Sequence, residues 1–248
     1  MPQLTIEKST GLKVSQKGQA EAMDRLMEVF YGRNGLPDAV LHGGAAIWRC
    51  YGSSRFSPDA DFYSSYTDIV RLAQSISESG FNILGLRDTG GGRSGASGVI
   101  FGTVSLPTEN RQNKVTFSIT RVDVAGTIAD YTKVDGSRMD IVTLNPESFM
   151  REKINAYNSR GKINDLYDLY HLVTKVVDFS ALDRSKSEEL LAFLKKVSSA
   201  PADRARDKAD YETLKSVVYA PAVPDQAAIM EAFRRAHGNL ESLMRDKE

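Results

Sequence analysis

Two aspartates, with a single residue between them, stand at the start of the extended segment ADFYSSY, the first directly before it and the second within it. Asp59 and Asp61 are at positions i and i+2, so in a strand their side chains point to the same face. Neighbouring carboxylates repel each other unless a cation lies between them. Mg²⁺ prefers one or two carboxylates together with substrate phosphates, so the pair predicts a site for Mg²⁺ (or Mn²⁺) and a phosphorylated substrate. A solvated strand edge that carries two acids is the plain alternative.

A pair of glycines precedes the aspartates. A short apolar run ends at Gly43 and Gly44, and a predicted short helix and a loop separate them from Asp59. A strand that ends in two glycines and enters a helix lets backbone N–H groups approach a phosphate closely. A tight turn with a positive φ would explain the glycines without a ligand. The glycines and the aspartates together are more specific than either feature alone, and they favour a site for metal and phosphate.

The elements that must position these residues divide the chain into two parts. Strands and helices are predicted up to residue 144, and only helices are predicted after it. We therefore expect an α/β (α+β) domain over residues 1–144, with a small mixed sheet flanked by helices, and a helical domain over residues 145–248. Six strands are predicted, beginning near residues 39, 60, 81, 99, 113 and 139. The fourth and fifth are expected to form a hairpin through residues 108–112.

End signals mark three of the predicted helices. Asn145 is the predicted N-cap of a helix that ends at Gly161. Asn164 is the predicted N-cap of the helix that follows. In the first domain, Thr67 is the predicted N-cap of a helix that ends just before Gly80.

The composition narrows the classes of function. Hydrophobic residues make up 41% and charged residues 26% of the chain, as is typical of a soluble globular protein. Lys plus Arg equals Asp plus Glu, at 32 each, so an anionic substrate must be met by a local cluster of charge. The single cysteine, Cys50, excludes an internal disulfide and is expected to be a small buried residue, not a nucleophile. No signal peptide or membrane span is predicted, so we expect a cytoplasmic protein with no membrane partner.

The stretch HGGAAIWRCYGSSRFSPDADF, residues 42–62, resembles a motif of the AbiEii/AbiGii nucleotidyltransferase toxins. That motif has two glycines, a short helix and then Arg-x-Ser-x-Asp-x-Asp. The family has a minimal version of the DNA polymerase beta-like nucleotidyltransferase fold, so the resemblance implies this fold here. It also implies nucleotide binding by Gly43, Gly44, Arg55 and Ser57, and metal binding and catalysis by Asp59 and Asp61.

The stretch REKINAYNSRGKINDLYDLYHL, residues 151–172, resembles a later motif of the same family. That motif has a lysine and an arginine on one helix and Asp-x-x-Asp-Leu on the next. Lys153, Tyr157 and Arg160 fall at i, i+4 and i+7 and share a helix face. A basic face of this kind would neutralise charge on a triphosphate. The resemblance implies nucleotide binding by Lys153 and Arg160, catalysis by Lys153 and Asp165, and a supporting role for Asp168.

The acids and the basic helix face of this second motif can also be explained without a ligand. Asp165 and Asp168 are predicted in the first turn of their helix, where the helix dipole favours acids whatever the function. A face that carries lysine and arginine is usually solvated.

The wider fold usually has a third catalytic carboxylate besides the aspartate pair, and here the sequence departs from that pattern. A central strand usually supplies this carboxylate, and Ser118 stands where it is expected. Asp123 is the nearest acid, although by parity it points to the opposite face of the strand unless a bulge presents it. The resemblance leaves the role to Asp123 or to Asp165, which would act by orienting Lys153 or the acceptor hydroxyl.

The resemblance implies an enzyme of the nucleotidyltransferase class, EC 2.7.7. It would transfer a nucleoside monophosphate from a nucleoside triphosphate to an acceptor hydroxyl, such as the 3′ end of a tRNA, and release pyrophosphate. It would act as the toxin of a toxin–antitoxin or phage-defence pair, with a cognate antitoxin encoded nearby. Two alternatives stay open: a nucleotidyltransferase that modifies a small molecule such as an antibiotic, and a non-catalytic member of the fold that only binds nucleotide or a partner protein.

Overall fold

The computed structural model describes residues 12–32, 35–66, 68–90, 98–108, 111–198, 204–219 and 223–246. The chain divides into two compact units, residues 1–144 and 145–248. Within the described residues, no helix is both long and apolar enough to cross a membrane.

A seven-stranded mixed sheet forms the first unit. Its strands are β1 Val40–His42, β2 Asp59–Ser64, β3 Asn82–Asp88, β4 Val99–Thr108, β5 Arg111–Arg121, β6 Thr127–Thr132 and β7 Arg138–Thr143. The strands lie in the order β3-β4-β5-β2-β1-β7-β6. The β2–β5 and β1–β7 pairs are parallel, and the other four pairs are antiparallel.

Helices flank the sheet and make up the second unit. The first unit contains α1 Val14–Phe30, α2 Gly43–Arg49 and α3 Ile69–Glu78. The second contains α4 Pro146–Arg160, α5 Ile163–His171, α6 Arg184–Ser198, α7 Arg204–Val217 and α8 Gln226–Arg245. A π-helical segment, Leu172–Val176, and a 3₁₀ turn, Phe179–Ala181, lie between α5 and α6. The predicted mixed α/β class is therefore confirmed.

One strand was not predicted from the sequence. β6 pairs antiparallel with β7, and the connection between them contains Asp135 and Gly136, the latter with φ +85°. Asp-Gly is a hairpin signal, and the β-branched and aromatic residues of TIADYT favour a strand. These two signals in the sequence would have been enough to predict β6. The predicted hairpin of β4 and β5 is confirmed, with Thr108 opposite Arg111.

The helix caps show where local signals suffice. The Asn145 side chain accepts a hydrogen bond from the Ser148 backbone N–H at 2.8 Å, and Gly161 ends α4 in the left-handed region at φ 62°. Both predictions are confirmed. The prediction for Asn164 is wrong, because α5 begins after Lys162. Gly161 already turns the chain, so only Gly161 and Lys162 connect the two helices.

The first turn of α3 is capped by a residue other than the predicted one. Asp68 is its N-cap, and the carboxylate accepts a hydrogen bond from the Arg71 backbone N–H at 2.9 Å. Thr67, the predicted cap, lies outside the described residues.

The sheet buries one face in the strands that carry the aspartates. Phe62 of β2 and Phe117 of β5 are buried. The ring of Phe30, on α1, packs edge-on against both, with centroids 5.0 and 5.2 Å away. Side chains alternate between the faces along a strand, so Asp59 and Asp61 lie on the opposite face. We refer to this opposite face as the open face of the sheet.

Candidate active site

The two aspartates of β2 each have a hydroxyl neighbour on β5. The parallel register sets Asp59 beside Thr116 and Asp61 beside Ser118. The Thr116 hydroxyl donates to Asp59 Oδ1, and the Ser118 hydroxyl donates to Asp61 Oδ1 at 2.7 Å. Asp59 is exposed and Asp61 half-buried. Both carboxylates are therefore fixed on the open face, and each keeps a second oxygen for a further ligand.

The donor set fits a hard divalent cation that shares its coordination with a phosphate. Among the described residues, no group of three or more His, Cys, Asp or Glu side chains could hold a metal ion. Asp59 and Asp61 offer only carboxylate oxygens, which Mg²⁺ and Mn²⁺ accept as ligands. A closed protein cage is absent from this part of the chain, so water and substrate oxygens would complete the coordination sphere.

Gly43 lies directly against the carboxylate of Asp61. It is the first residue of α2 and has φ +71°, a conformation that favours glycine. A Cβ on Gly43 would lie 2.8 Å from Asp61 Oδ2. His42, at the end of β1, pairs in register with Asp61. This geometry explains why the strand ends in glycine beside the carboxylate.

Gly44 makes room for two buried polar side chains from the loop before β2. A Cβ on Gly44 would lie 2.5 Å from Ser57 Oγ and would overlap the Arg55 guanidinium. Arg55 and Ser57 are buried, at 6% and 7% exposure. The first unit thus brings together the glycines, the arginine, the serine and the aspartate pair that the first motif singled out.

A buried ion pair holds the far end of α2. Arg49 Nη2 lies 2.5 Å from Asp24 Oδ1, and both residues are buried. The same carboxylate accepts hydrogen bonds from the Tyr131 hydroxyl at 2.9 Å and the Val134 backbone N–H at 2.7 Å. This network ties α2 to α1 and to the β6–β7 hairpin. Sequence spacing gave no sign of it, because its members are far apart in the chain.

Cys50, expected to be a buried residue and not a nucleophile, is half-buried at the C-cap of α2. Burial raises the pKa of its thiol to about 12. A thiol with such a pKa is protonated at neutral pH, and the thiolate is the nucleophilic form. This does not fit a role as a catalytic nucleophile.

The second motif forms a cluster of four charged residues within the second unit. Lys153 Nζ, on α4, lies 2.8 Å from Asp168 Oδ2 and 3.5 Å from Asp165 Oδ1, both on α5. Arg160 donates to Asp165 through Nε and Nη2, each at 2.6 Å. Lys153, Asp165 and Asp168 are buried, whereas the Arg160 side chain is half exposed. Two cations and two carboxylates make the cluster formally neutral.

Asp165 connects the two basic residues of the cluster. Lys153 and Arg160 both contact its carboxylate, while Tyr157, predicted on the same helix face, packs edge-on against Phe193 at 6.1 Å. The prediction that both acids lie in the first turn of α5 holds for Asp165 only. Asp168 lies one turn further on because α5 begins at residue 163.

The structure has a hydroxyl, not a third acid, beside Asp61. Ser118 occupies the paired position on β5. Asp123 is exposed in the segment after β5, two residues beyond Arg121. It forms no metal-holding group with the aspartate pair, because the described residues contain no such group of three. Asp123 lies beyond the end of β5, so the strand does not present it.

Comparison with known proteins identifies relatives of the whole arrangement. The family described as "Nucleotidyl transferase AbiEii toxin, Type IV TA system" matches residues 25–239. A search of curated proteins finds no significant match.

Solved structures share the fold across most of the chain. The protein JHP933 from Helicobacter pylori superposes with a TM-score of 0.63 and 17% identity, covering 92% of this chain and 96% of that one. The nucleotidyltransferase toxin MenT4 from Mycobacterium tuberculosis superposes with a TM-score of 0.59 and 16% identity, covering 98% of this chain and 91% of that one. At these identities the likeness shows the fold alone.

Replacing Gly44 with alanine tests whether the site needs a bare backbone there. The added methyl group would overlap Arg55 and crowd Ser57, so both side chains must move. We expect Gly44→Ala to weaken Mg²⁺–triphosphate binding by on the order of a hundredfold, which is the loss expected when hydrogen bonds to a charged group are disrupted. Equilibrium binding of a labelled triphosphate measures the change.

Gly238→Ala is the matched control, because Gly238 also lies in a helix and a Cβ there would meet nothing within 4 Å. It should bind triphosphate as the wild type does. Wild-type affinity in a folded Gly44→Ala protein would contradict a phosphate site at this corner.

Proposed function

We propose that this chain, which belongs to the AbiEii family of nucleotidyltransferase toxins of type IV toxin–antitoxin systems, uses a divalent metal to transfer a nucleoside monophosphate to RNA. The donor is a nucleoside triphosphate, the acceptor is a hydroxyl such as the 3′ end of a tRNA, and pyrophosphate is released. One observation carries this proposal. The glycine corner, Gly43 and Gly44, lies beside β2, the strand that presents Asp59 and Asp61 on one face.

The aspartate pair is the proposed metal site. Asp59 and Asp61 would hold Mg²⁺ or Mn²⁺ through the oxygens not occupied by Thr116 and Ser118. Such an ion acts as a Lewis acid and a template for the phosphates when bound. The two hydroxyl donors keep the carboxylates oriented toward the open face and partly offset their mutual repulsion.

The glycine corner is the proposed phosphate site. The backbone at Gly43 and Gly44 has no side chain to keep a triphosphate away, so its oxygens can approach the main chain closely. Arg55 would supply positive charge, and the Ser57 hydroxyl would donate a hydrogen bond to a β- or γ-phosphate oxygen. These groups act before transfer by holding the donor, and during transfer by stabilising charge on the leaving pyrophosphate.

The charged cluster of the second unit has roles that rest on the family resemblance. Lys153 and Arg160 would stabilise negative charge on the triphosphate. Asp165 would orient Lys153, a role supported by its contacts with both basic residues. Asp168, 2.8 Å from Lys153, would fix the ammonium group in the same way.

The partners follow from the family and the proposed chemistry. Membership of a type IV system implies a cognate antitoxin and a nucleotide substrate. We propose that the antitoxin is encoded nearby and that the two proteins form a toxin–antitoxin or phage-defence pair. We also propose that the toxin acts in the cytoplasm, where triphosphates and tRNA are found. The zero net charge means that RNA must be held by local groups.

A non-catalytic, nucleotide-binding protein is the second candidate. The observation that favours it is the hydroxyl of Ser118 where a third acid is expected. Incubation with each labelled triphosphate and Mg²⁺, with total cellular RNA or with small hydroxylated compounds as the acceptor, separates the candidates. Label in RNA supports the proposal. Label only in small hydroxylated compounds indicates a small-molecule enzyme, and tight Mg²⁺–triphosphate binding with no transfer supports the second candidate.

Removing either carboxylate tests the metal site. Asp59→Asn and Asp61→Asn keep the hydroxyl contacts possible but remove a negative charge, so we expect nucleotide transfer to fall by on the order of a hundredfold or more. Initial rates at several Mn²⁺ and Mg²⁺ concentrations measure the effect. Asp140→Asn, at an exposed position of β7, is the control and should keep wild-type rates. Full activity in either site variant would remove the metal assignment.

Replacing Lys153 with methionine tests the charged cluster. The change leaves two buried carboxylates without their shared cation, so the free energy of unfolding should fall by about 3–5 kcal/mol. Triphosphate affinity, measured where the variant is folded, should also fall.

Lys186→Met is its matched control, because Lys186 also bridges two carboxylates, those of Glu147 and Asp183, but is more exposed than Lys153. It should change stability and affinity little. Equal triphosphate affinity in the two lysine variants would contradict the phosphate role of Lys153.

A further inference from the structure

A row of side chains crosses the open face of the sheet and ends at the proposed metal site. The registers of four neighbouring strands set Arg87 of β3 beside Phe101 of β4, Phe101 beside Ser118 of β5, and Ser118 beside Asp61 of β2. Residues paired in this way lie on the same face of a sheet. The aromatic ring and the metal-binding carboxylate are therefore on one surface of one unit.

Phe101 is an exposed aromatic residue on β4, whose Ile100 and Val104 side chains are buried. Its exposed fraction is 43%, whereas the neighbouring Ile100 is fully buried on the opposite face. The guanidinium of Arg87 lies 5.4 Å from the centroid of the Phe101 ring, within the range of a cation–π contact. The ring therefore carries a positively charged neighbour and is accessible to a ligand.

The distance to the metal site suits a nucleic-acid substrate. Neighbouring strands are about 4.8 Å apart, so Phe101, two strands from Asp61, is about 10 Å from it. A nucleotide whose phosphate or terminal hydroxyl lies at the aspartates can extend its base along the sheet over such a distance. Ser118 lies between the two points, and its hydroxyl donates to Asp61.

We propose that Phe101 and Arg87 form a stacking platform for an unpaired nucleobase during nucleotide transfer. The inference rests on the proposed function, because that function supplies a nucleobase at this face. Proteins bind single-stranded RNA by stacking bases on aromatic rings and arginine planes, and arginine also attracts the phosphates. The base comes from the acceptor RNA or from the donor triphosphate, and both sources present the same aromatic surface.

Three variants test the ring itself, and a fourth serves as the control. Phe101→Ala removes it, Phe101→Leu keeps apolar bulk without a ring, and Phe101→Trp keeps an aromatic face. Ile128→Ala is the control, since Ile128 is 74% exposed but lies on β6, at the far edge of the sheet. Thermal unfolding establishes that each variant is folded.

Three probes distinguish a base that belongs to the acceptor RNA from a base that belongs to the donor triphosphate. Dissociation constants are measured for a single-stranded RNA hexanucleotide, for each nucleoside triphosphate with Mg²⁺, and for inorganic tripolyphosphate with Mg²⁺. We expect Phe101→Ala and Phe101→Leu to weaken the binding of a base-bearing probe by about tenfold, which is within the range of one lost stack. Phe101→Trp and Ile128→Ala should stay within about twofold, and tripolyphosphate should bind all variants equally. Weaker hexanucleotide binding assigns the platform to the acceptor, and weaker triphosphate binding assigns it to the donor.

Three results would overturn the platform. These are wild-type binding of both base-bearing probes by Phe101→Ala, wild-type binding by Phe101→Leu, and a wild-type protein that binds neither probe. Failure of the proposed function looks different, because the wild type would then bind the probes but transfer no nucleotide to RNA.

Discussion

Two negative charges on one face of one strand are the constraint around which the first unit is arranged. Asp59 and Asp61 project together because they are two residues apart on β2. Their repulsion is reduced by one hydroxyl donor each from β5, and a divalent cation would remove it. The neighbouring backbone has to come close without adding a side chain. Gly43 meets that requirement, since a Cβ there would lie 2.8 Å from the Asp61 carboxylate.

The remaining parts of the first unit hold this corner in place. α2 begins at the glycines and ends at Arg49, whose buried ion pair with Asp24 fixes it against α1. Breaking a buried pair of this kind is costly, because it leaves an uncompensated charge in the interior. The face of the sheet opposite the aspartates is packed, since Phe62 and Phe117 contact the ring of Phe30 there. A site placed on packed helices and strands is held more precisely than one placed on loops.

The sequence predicts the parts of the site that local spacing determines. The i and i+2 aspartates, the glycine pair and the Asn145 cap all depend on neighbouring residues, and the family resemblance supplies the mixed fold. Contacts between distant segments could not be predicted. Thr116 and Ser118 reach the aspartates only because β2 and β5 pair in parallel. The carboxylate partners of Lys153 likewise depend on how α4 and α5 pack. The prediction of an N-cap at Asn164 is wrong because Gly161 turns the chain earlier.

Diffraction from crystals grown with Mn²⁺ and a non-hydrolysable nucleoside triphosphate tests the central claim most directly. Anomalous scattering locates the manganese without assumptions about the protein. The account predicts a manganese ion bound by both Asp59 and Asp61, with a phosphate oxygen in its coordination sphere and the phosphate chain against Gly43 and Gly44. Manganese bound elsewhere, or a triphosphate held away from this corner while the aspartates bind no ion, would contradict it.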